Sequence, residues 1–273
     1  MYEQTFLVKN LKDIGVQTGD ILVITCSLSE VGRLEFGFET LVNALIESVG
    51  ETGGILGLSF NYGQKLPIAS NSNADIFSRN LKPSTGGLNE FLVEHPLSIR
   101  SGHPMNSFVG IGECIRNLLV SHTPSSPCYD PVHKLAINNS GKMLLIGTLS
   151  KSPGITTVHV AQNLLGFKNL DQGRYGVQYY NDKGGIETYI RNDVGGCSIG
   201  FHNFYHHYRD DFNFKIMKIG DADSVLVNLH DALNTDLRVL QKNPEMFFCG
   251  RESCTKCRID FWDFSSSLVP ASI

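Results

Sequence analysis

The apolar positions of this chain fall into short continuous runs separated by longer stretches of helical spacing, an alternation that predicts a layered α/β fold. Ile21-Leu22-Val23-Ile24-Thr25-Cys26, Ile55-Leu56-Gly57-Leu58-Ser59-Phe60 and Met143-Leu144-Leu145-Ile146 are bounded by turn residues and have the length of interior strands. Between the first two, Phe38, Leu41, Val42, Leu45, Ile46 and Val49 recur at the spacing of one helix face. A helix over Phe6 to Leu11 ends near Gly15, and further helices are expected over Leu88 to Val93, from Glu113 to His122, and around His133 to Ile137. Later in the chain, Gly176 to Tyr180 and Ile186 to Ile190 flank Asn181-Asp-Lys-Gly-Gly185 as a β-hairpin. Phe212 to Ile219 reads as one more strand, and Ser224 to Leu240 as a single amphipathic helix. Asn61 to Ala74, polar and broken by Gly63 and Pro67, reads as a long surface loop of the kind that borders active sites.

The chemistry gathers at the junction after the third strand. Gly147 ends Met143 to Ile146, Ser150 to Ile155 forms a small-residue loop, and Thr156 or Thr157 caps a helix continuing through Val160, Ala161, Leu164 and Leu165. His159 then lies in the first helical turn, where free N–H groups and the positive end of the helix dipole disfavour an imidazolium. The residue is a candidate general base, or a histidine that only hydrogen-bonds the loop. At the first strand-to-helix turn, Ser27, Leu28 and Ser29 offer hydroxyls and backbone N–H groups to a ligand, or merely cap the helix.

Composition narrows the classes. With 23 basic and 27 acidic residues in 273, the net charge of −4 argues against a nucleic-acid backbone or an anionic membrane as partner. No run approaches the roughly 18 apolar residues of a membrane span, so a cytoplasmic protein is expected. Seven cysteines then read as reduced thiols rather than a disulfide framework. Cys249, Cys254 and Cys257 carry half of a zinc pattern but lack an obvious fourth ligand, so no metal is expected and zinc is the minor alternative to free thiols. The chain contains no Walker loop and no G-x-G-x-x-G, which argues against a P-loop enzyme and a dinucleotide oxidoreductase.

Four stretches in order, KPSTGGLNEFL, RSGHPMNSFVGIGE, KMLLIG and TTVHVAQ, together with the opening GVQTGDILVITCSLSEVG, resemble the aminoglycoside 3-N-acetyltransferase family, which includes sugar-nucleotide N-acyltransferase relatives. The resemblance runs from about Leu11 to Gln162. It implies a mixed β-sheet flanked by helices, with a hairpin-containing C-terminal part, and acyl transfer from acyl-CoA to a sugar amine. Residues 1–170 would form the acyl-CoA-binding core, and residues 171–273 an acceptor-binding and capping region packed into the same unit. His159 would be the base, with Ser27, Leu28, Ser29, Thr156 and Thr157 on the coenzyme. The chain departs from the family pattern at Thr25-Cys26 in place of His-Ser, at Leu58 in place of Pro, at Asp130 in place of Ser, and at Gln162 in place of the acid that follows the histidine.

The lost acid and the mild overall charge weigh against a polycationic acceptor. The expected acceptor is therefore a nucleotide-linked amino sugar of polysaccharide biosynthesis. Its diphosphate would be held by Arg100, His103, Ser107, Tyr205 and Arg209, and its base stacked on Phe204 or Tyr208 in the aromatic run from Phe201. Aminoglycoside 3-N-acetylation is the alternative, and a non-catalytic binding protein of the same fold the third reading. The sequence leaves the acyl chain length and the oligomeric state open.

Overall fold

Continuous apolar runs need cover on both faces, and the fold supplies it. The computed structural model describes residues 1–68, 75–212 and 214–265. Its strands, in chain order, are β1 (Ile21–Cys26), β2 (Gly54–Leu58), β3 (Gln64–Lys65), β4 (Ile99–Arg100), β5 (Phe108–Ile111), β6 (Gly141–Ile146), β7 (Lys168–Asn169), β8 (Tyr175–Tyr180), β9 (Ile186–Ile190), β10 (Ile216–Ile219), β11 (Ala222–Asn228) and β12 (Trp262–Asp263). The helices are α1 (Gln4–Ile14), α2 (Leu28–Val31), α3 (Phe38–Val49), α4 (Gly87–Glu94), α5 (Glu113–Val120), α6 (Asp130–Ile137), α7 (Thr157–Leu164), α8 (Tyr205–Asp211) and α9 (Leu229–Lys242).

The main sheet has the order β10-β11-β6-β1-β2-β5-β4. Its centre is parallel, β1 pairing with β2 and with β6, and antiparallel strands extend it on both sides. Side chains alternate across it. Leu22, Ile24, Leu144 and Ile146 meet α1 and α3 on one face, and Val23, Met143 and Leu145 meet α5, α6, α7 and α9 on the other. Each of the apolar residues of β6 from Met143 to Ile146 is fully buried, which is worth about 1.5–3 kcal/mol per side chain and anchors the strand that delivers the site loop.

The expected helix from Ser224 to Leu240 is two elements. Ala222 to Asn228 runs as a strand between β6 and β10, and α9 begins only at Leu229. Asn228 makes the break, its Oδ1 accepting the backbone N–H of His230 at 2.8 Å and of Asp231 at 3.2 Å. Leu226 and Val227 continue the apolar pattern across that cap, so periodicity alone read through it. Within the expected surface loop from Asn61, β3 pairs antiparallel with the start of β8 and makes the hairpin β8–β9 a three-stranded sheet. Residues 69–74 of that loop, and residue 213 of the expected strand Phe212 to Ile219, lie outside the described residues. None of the described helices is long and apolar enough to cross a membrane.

Candidate active site

A cavity of about 700 Å³ opens beside the carboxyl ends of β1 and β2. Thr25 and Cys26 from β1, and Leu58, Phe60 and Asn61 from β2 and the turn after it, form one side. The loop between β6 and α7 contributes Thr148, Ser152, Gly154 and Thr156, and α7 contributes His159. Gly147 lets the chain turn out of β6 at φ +66°, where a Cβ would stand 2.6 Å from Glu30 Cβ. The loop is then fixed at two points, Thr156 N–H meeting Met143 Sδ at 3.2 Å and the Tyr205 hydroxyl donating to Pro153 O at 2.8 Å.

His159 sits half-buried in the first turn of α7. Its ring stacks on Tyr129 with centroids 5.1 Å apart and meets the edge of Phe201 at 4.8 Å. Nδ1 lies 2.8 Å from Gln162 Oε1, so Nδ1 carries the proton and donates it there, leaving Nε2 as an acceptor without a partner among the described residues. Burial is the main influence on the ring and lowers its pKa below 6.5. The Gln162 bond and the charge of Asp193 work upward, and Arg191 works downward. The ring is thus neutral and oriented at pH 7, as a base must be before it acts. Gln162 keeps the orienting role that the family's acid would have, but it supplies no charge to an imidazolium.

Behind this pair lies a network that sequence reasoning missed. Arg191 Nε meets Asp193 Oδ1 at 2.8 Å, Asp193 Oδ2 accepts the Gly195 N–H at 3.1 Å, and Arg191 also faces Asp171, which pairs with Lys256 at 2.5 Å. Arg191, Asp193 and Lys256 all line the cavity. An arginine and an aspartate directly after the second hairpin strand, followed by Gly195-Gly196, was the available signal. Asn106 also lines the cavity, and its buried Oδ1 has no hydrogen-bond partner among the described residues. The Cys26 thiol is pushed up to about 12 by burial, so it stays protonated at pH 7.

The other expected site residues separate. Thr156 reaches the cavity, but Thr157 is buried and donates to Asp236 Oδ2 at 2.6 Å. Ser27 and Ser29 pair with each other at 3.2 Å, and Leu28 packs against the α1–α3 layer; the cavity meets β1 two residues earlier. Arg100 is 4% exposed and donates to Ser107 Oγ at 3.0 Å and to Ser59 O at 2.8 Å, so it braces β4 and β5 rather than a ligand. Ser107, fully buried, donates to the same Ser59 carbonyl at 2.6 Å. His103 is also fully buried, stacked 4.9 Å from His122, with Nδ1 accepting the Asn106 N–H at 2.9 Å. Burial, with His122 beside it, lowers its pKa to about 3, which leaves no imidazolium for a phosphate. Tyr205 is spent on Pro153, and Arg209 is exposed over the Phe214 ring at 5.9 Å. Phe204 and Tyr208 are core residues, and of the aromatic run only Phe201 borders the cavity. The expected diphosphate and base site is therefore not assembled, because its members other than the exposed Arg209 fill or brace the interior. The C-terminal cysteines, by contrast, gain a neighbour the sequence did not suggest: Cys197 brings its sulfur to within 4.8 Å of those of Cys249, Cys254 and Cys257.

The arrangement defines a class: a deep cavity at the carboxyl edge of a mixed α/β sheet, with a neutral histidine on a strand–loop–helix junction. The family model for aminoglycoside 3-N-acetyltransferases matches residues 23–241, and the chain belongs to that family. The chain is 31% identical over 183 residues to aminoglycoside N(3)-acetyltransferase III of Salmonella sp., an alignment covering 62% of this chain and 63% of the relative. It thus spans less than two thirds of that relative's length. AAC-VIa bound to sisomicin superposes with a TM-score of 0.73 at 26% identity, covering 88% of this chain and 98% of that one. AAC-IIIb in its binary complex with CoASH shares the fold, with a TM-score of 0.73 at 23% identity over 88% and 97% of the two chains. These relatives overturn the expectation of a nucleotide-linked amino sugar as acceptor, and the burial of Arg100 and His103 gives the physical reason.

Proposed function

We propose that this protein is an acetyl-CoA-dependent N-acetyltransferase acting on the 3-amine of an aminoglycoside. The observation that carries the reading is the His159–Gln162 pair on the cavity wall, with Nε2 free and the ring held neutral. Family membership sets the reaction class. In it, the amine nitrogen forms a bond to the thioester carbonyl carbon, the amine proton passes to His159 Nε2, the C–S bond breaks, and the coenzyme thiolate leaves and is protonated in turn. The acceptor preference follows from the polar groups of the wall. The bare Asn106 Oδ1 and His159 Nε2 accept hydrogen bonds, which suits a ligand rich in amine and hydroxyl donors, while Asp193 is already held by Arg191 and the Gly195 N–H. The pantetheine arm would run along the Thr148 to Thr156 loop.

Thiol release from acetyl-CoA, followed against a panel of aminoglycosides with the acylated nitrogen located by NMR, tests the proposal. Turnover with acetate on the 3-nitrogen is expected. Acetyl-CoA binding with no thiol release above hydrolysis for any aminoglycoside would overturn it.

A further inference from the structure

The sulfurs of Cys197, Cys249, Cys254 and Cys257 all lie within 4.8 Å of one another, although Cys197 belongs to the loop after the β8–β9 hairpin and the other three to the C-terminal segment. Four thiolates around zinc at about 2.3 Å stand about 3.8 Å apart, so the group is already near the size of a closed tetrahedral site. Thiols packed for burial alone have no reason to converge four at a time, and among the described residues the remaining cysteines, Cys26, Cys114 and Cys128, stand outside the group.

A zinc tetrathiolate carries a net charge of −2, and the segment that holds three of the cysteines carries Arg251, Lys256 and Arg258 against Glu252 and Asp260.

From this convergence we propose that Cys197, Cys249, Cys254 and Cys257 form a structural zinc site that clamps the C-terminal segment onto the cavity wall. All four positions are filled by protein ligands, so the metal has no open position for chemistry. Its task is mechanical. Cys197 lies in the Gly195 to Ser198 stretch that lines the cavity, and Lys256, between two ligands, lines it as well and pairs with Asp171. The ion thereby adds a tie between two segments that also meet where Asn203 donates to the Met246 and Phe248 carbonyls. The inference does not depend on the acetyl-transfer reading, since its first readout is metal content.

The full-length protein, purified under reducing conditions without chelator, should contain about one equivalent of zinc per chain by elemental analysis. A mercurial should release that zinc as the four thiols react, and cobalt exchanged into the site should give the thiolate-to-metal charge-transfer band of a four-sulfur tetrahedral centre. Cys114→Ser should keep the full equivalent, whereas Cys197→Ser and Cys254→Ser should lose it. Stripping the metal from the unmutated protein should lower Tm and open Arg251, Lys256 and Arg258 to trypsin, which zinc restores. The metal content of the unmutated protein decides the matter even if a cysteine variant fails to fold. Substoichiometric zinc with four reactive thiols, a disulfide seen as a loss of mass, iron in place of zinc, or full zinc retention in Cys197→Ser would each overturn the proposal.

Discussion

Gln162→Glu puts back the charge that this chain lacks behind its histidine, and its effect can be worked from the 2.8 Å bond between His159 Nδ1 and Gln162 Oε1. Side-chain amide and carboxylate accept that proton with similar geometry, so the ring's orientation should survive. A neutral hydrogen bond is worth about 1 kcal/mol and one to a charged group about 1.5–3, so the imidazolium gains about 1–2 kcal/mol from the exchange. At 1.36 kcal/mol per unit, that raises the His159 pKa by about one unit against the burial that now depresses it. The carboxylate also replaces an amide whose Nε2 is buried without a partner among the described residues.

Two assays read the shift. NMR titration of the His159 ring measures it without any acceptor. The acid limb of kcat/KM for thiol release should move up by about one pH unit, and the rate on the plateau should rise, because a stronger base drives proton transfer further. Gln162→Ala serves as the contrary perturbation: it leaves Nδ1–H without an acceptor, and a loss of about 10- to 100-fold in kcat is expected from the freed ring. An unchanged ring pKa in a folded Gln162→Glu variant would show that residue 162 does not act on His159. A shifted pKa with an unchanged acid limb would show that His159 is not the titrating base.

His159→Asn should keep the fold and coenzyme affinity while lowering kcat by about 10² to 10⁴; a rise in KM with little change in kcat would instead make His159 a residue that positions the acceptor. Burial lowers the pKa of His103 to about 3 and of His122 to about 4, so below pH 6.5 the unfolded chain binds protons that the folded chain refuses. Their stabilisation is complete above about 6.5 and is lost as the pH falls toward 3, by several kcal/mol in all, which urea midpoints at pH 7, 5.5 and 4.5 will show. Asp236, fully buried between Thr157 and Tyr208 and raised to about 7 by that burial, has the opposite sign: its folded form holds a proton that the unfolded chain releases, so stability falls as pH rises from about 4 to 7. Asp236→Asn should therefore steepen the acid loss, and an unchanged slope would contradict the assignment.

The parts of this molecule that were legible in sequence are those a local pattern can specify. Ile21–Cys26 and Phe38–Val49 have the bounds that their apolar runs predicted, because an interior strand and the helix laid on it are each written as an unbroken or periodic set of buried positions. The place of His159 in the first turn of α7 was legible for the same reason, since strand, glycine, loop and helix are consecutive in the chain. What periodicity could not carry is the choice between a polar residue that faces a ligand and one that braces the interior. Arg100 has the composition of an anion site and the burial of a strut, and only the Ser59 carbonyl, far upstream in sequence, decides between them.

The same limit bears on two clusters. The aromatic run from Phe201 looked like a stacking platform because its rings are close in sequence, yet Phe204 and Tyr208 are what the layer beneath α7 and α9 needed to fill its volume. The gathering of the four cysteines was hidden for the opposite reason. Three thiols lacked a fourth within the usual spacing because their partner follows the β8–β9 hairpin, and a sheet, not a turn, delivers it. A ligand set split in that way ties two walls of the cavity by one contact. Gly195, Gly196 and Cys197 on one side and Lys256 on the other are therefore where loss of the clamp should be felt first, as a weaker hold on the acceptor with the His159–Gln162 pair left intact.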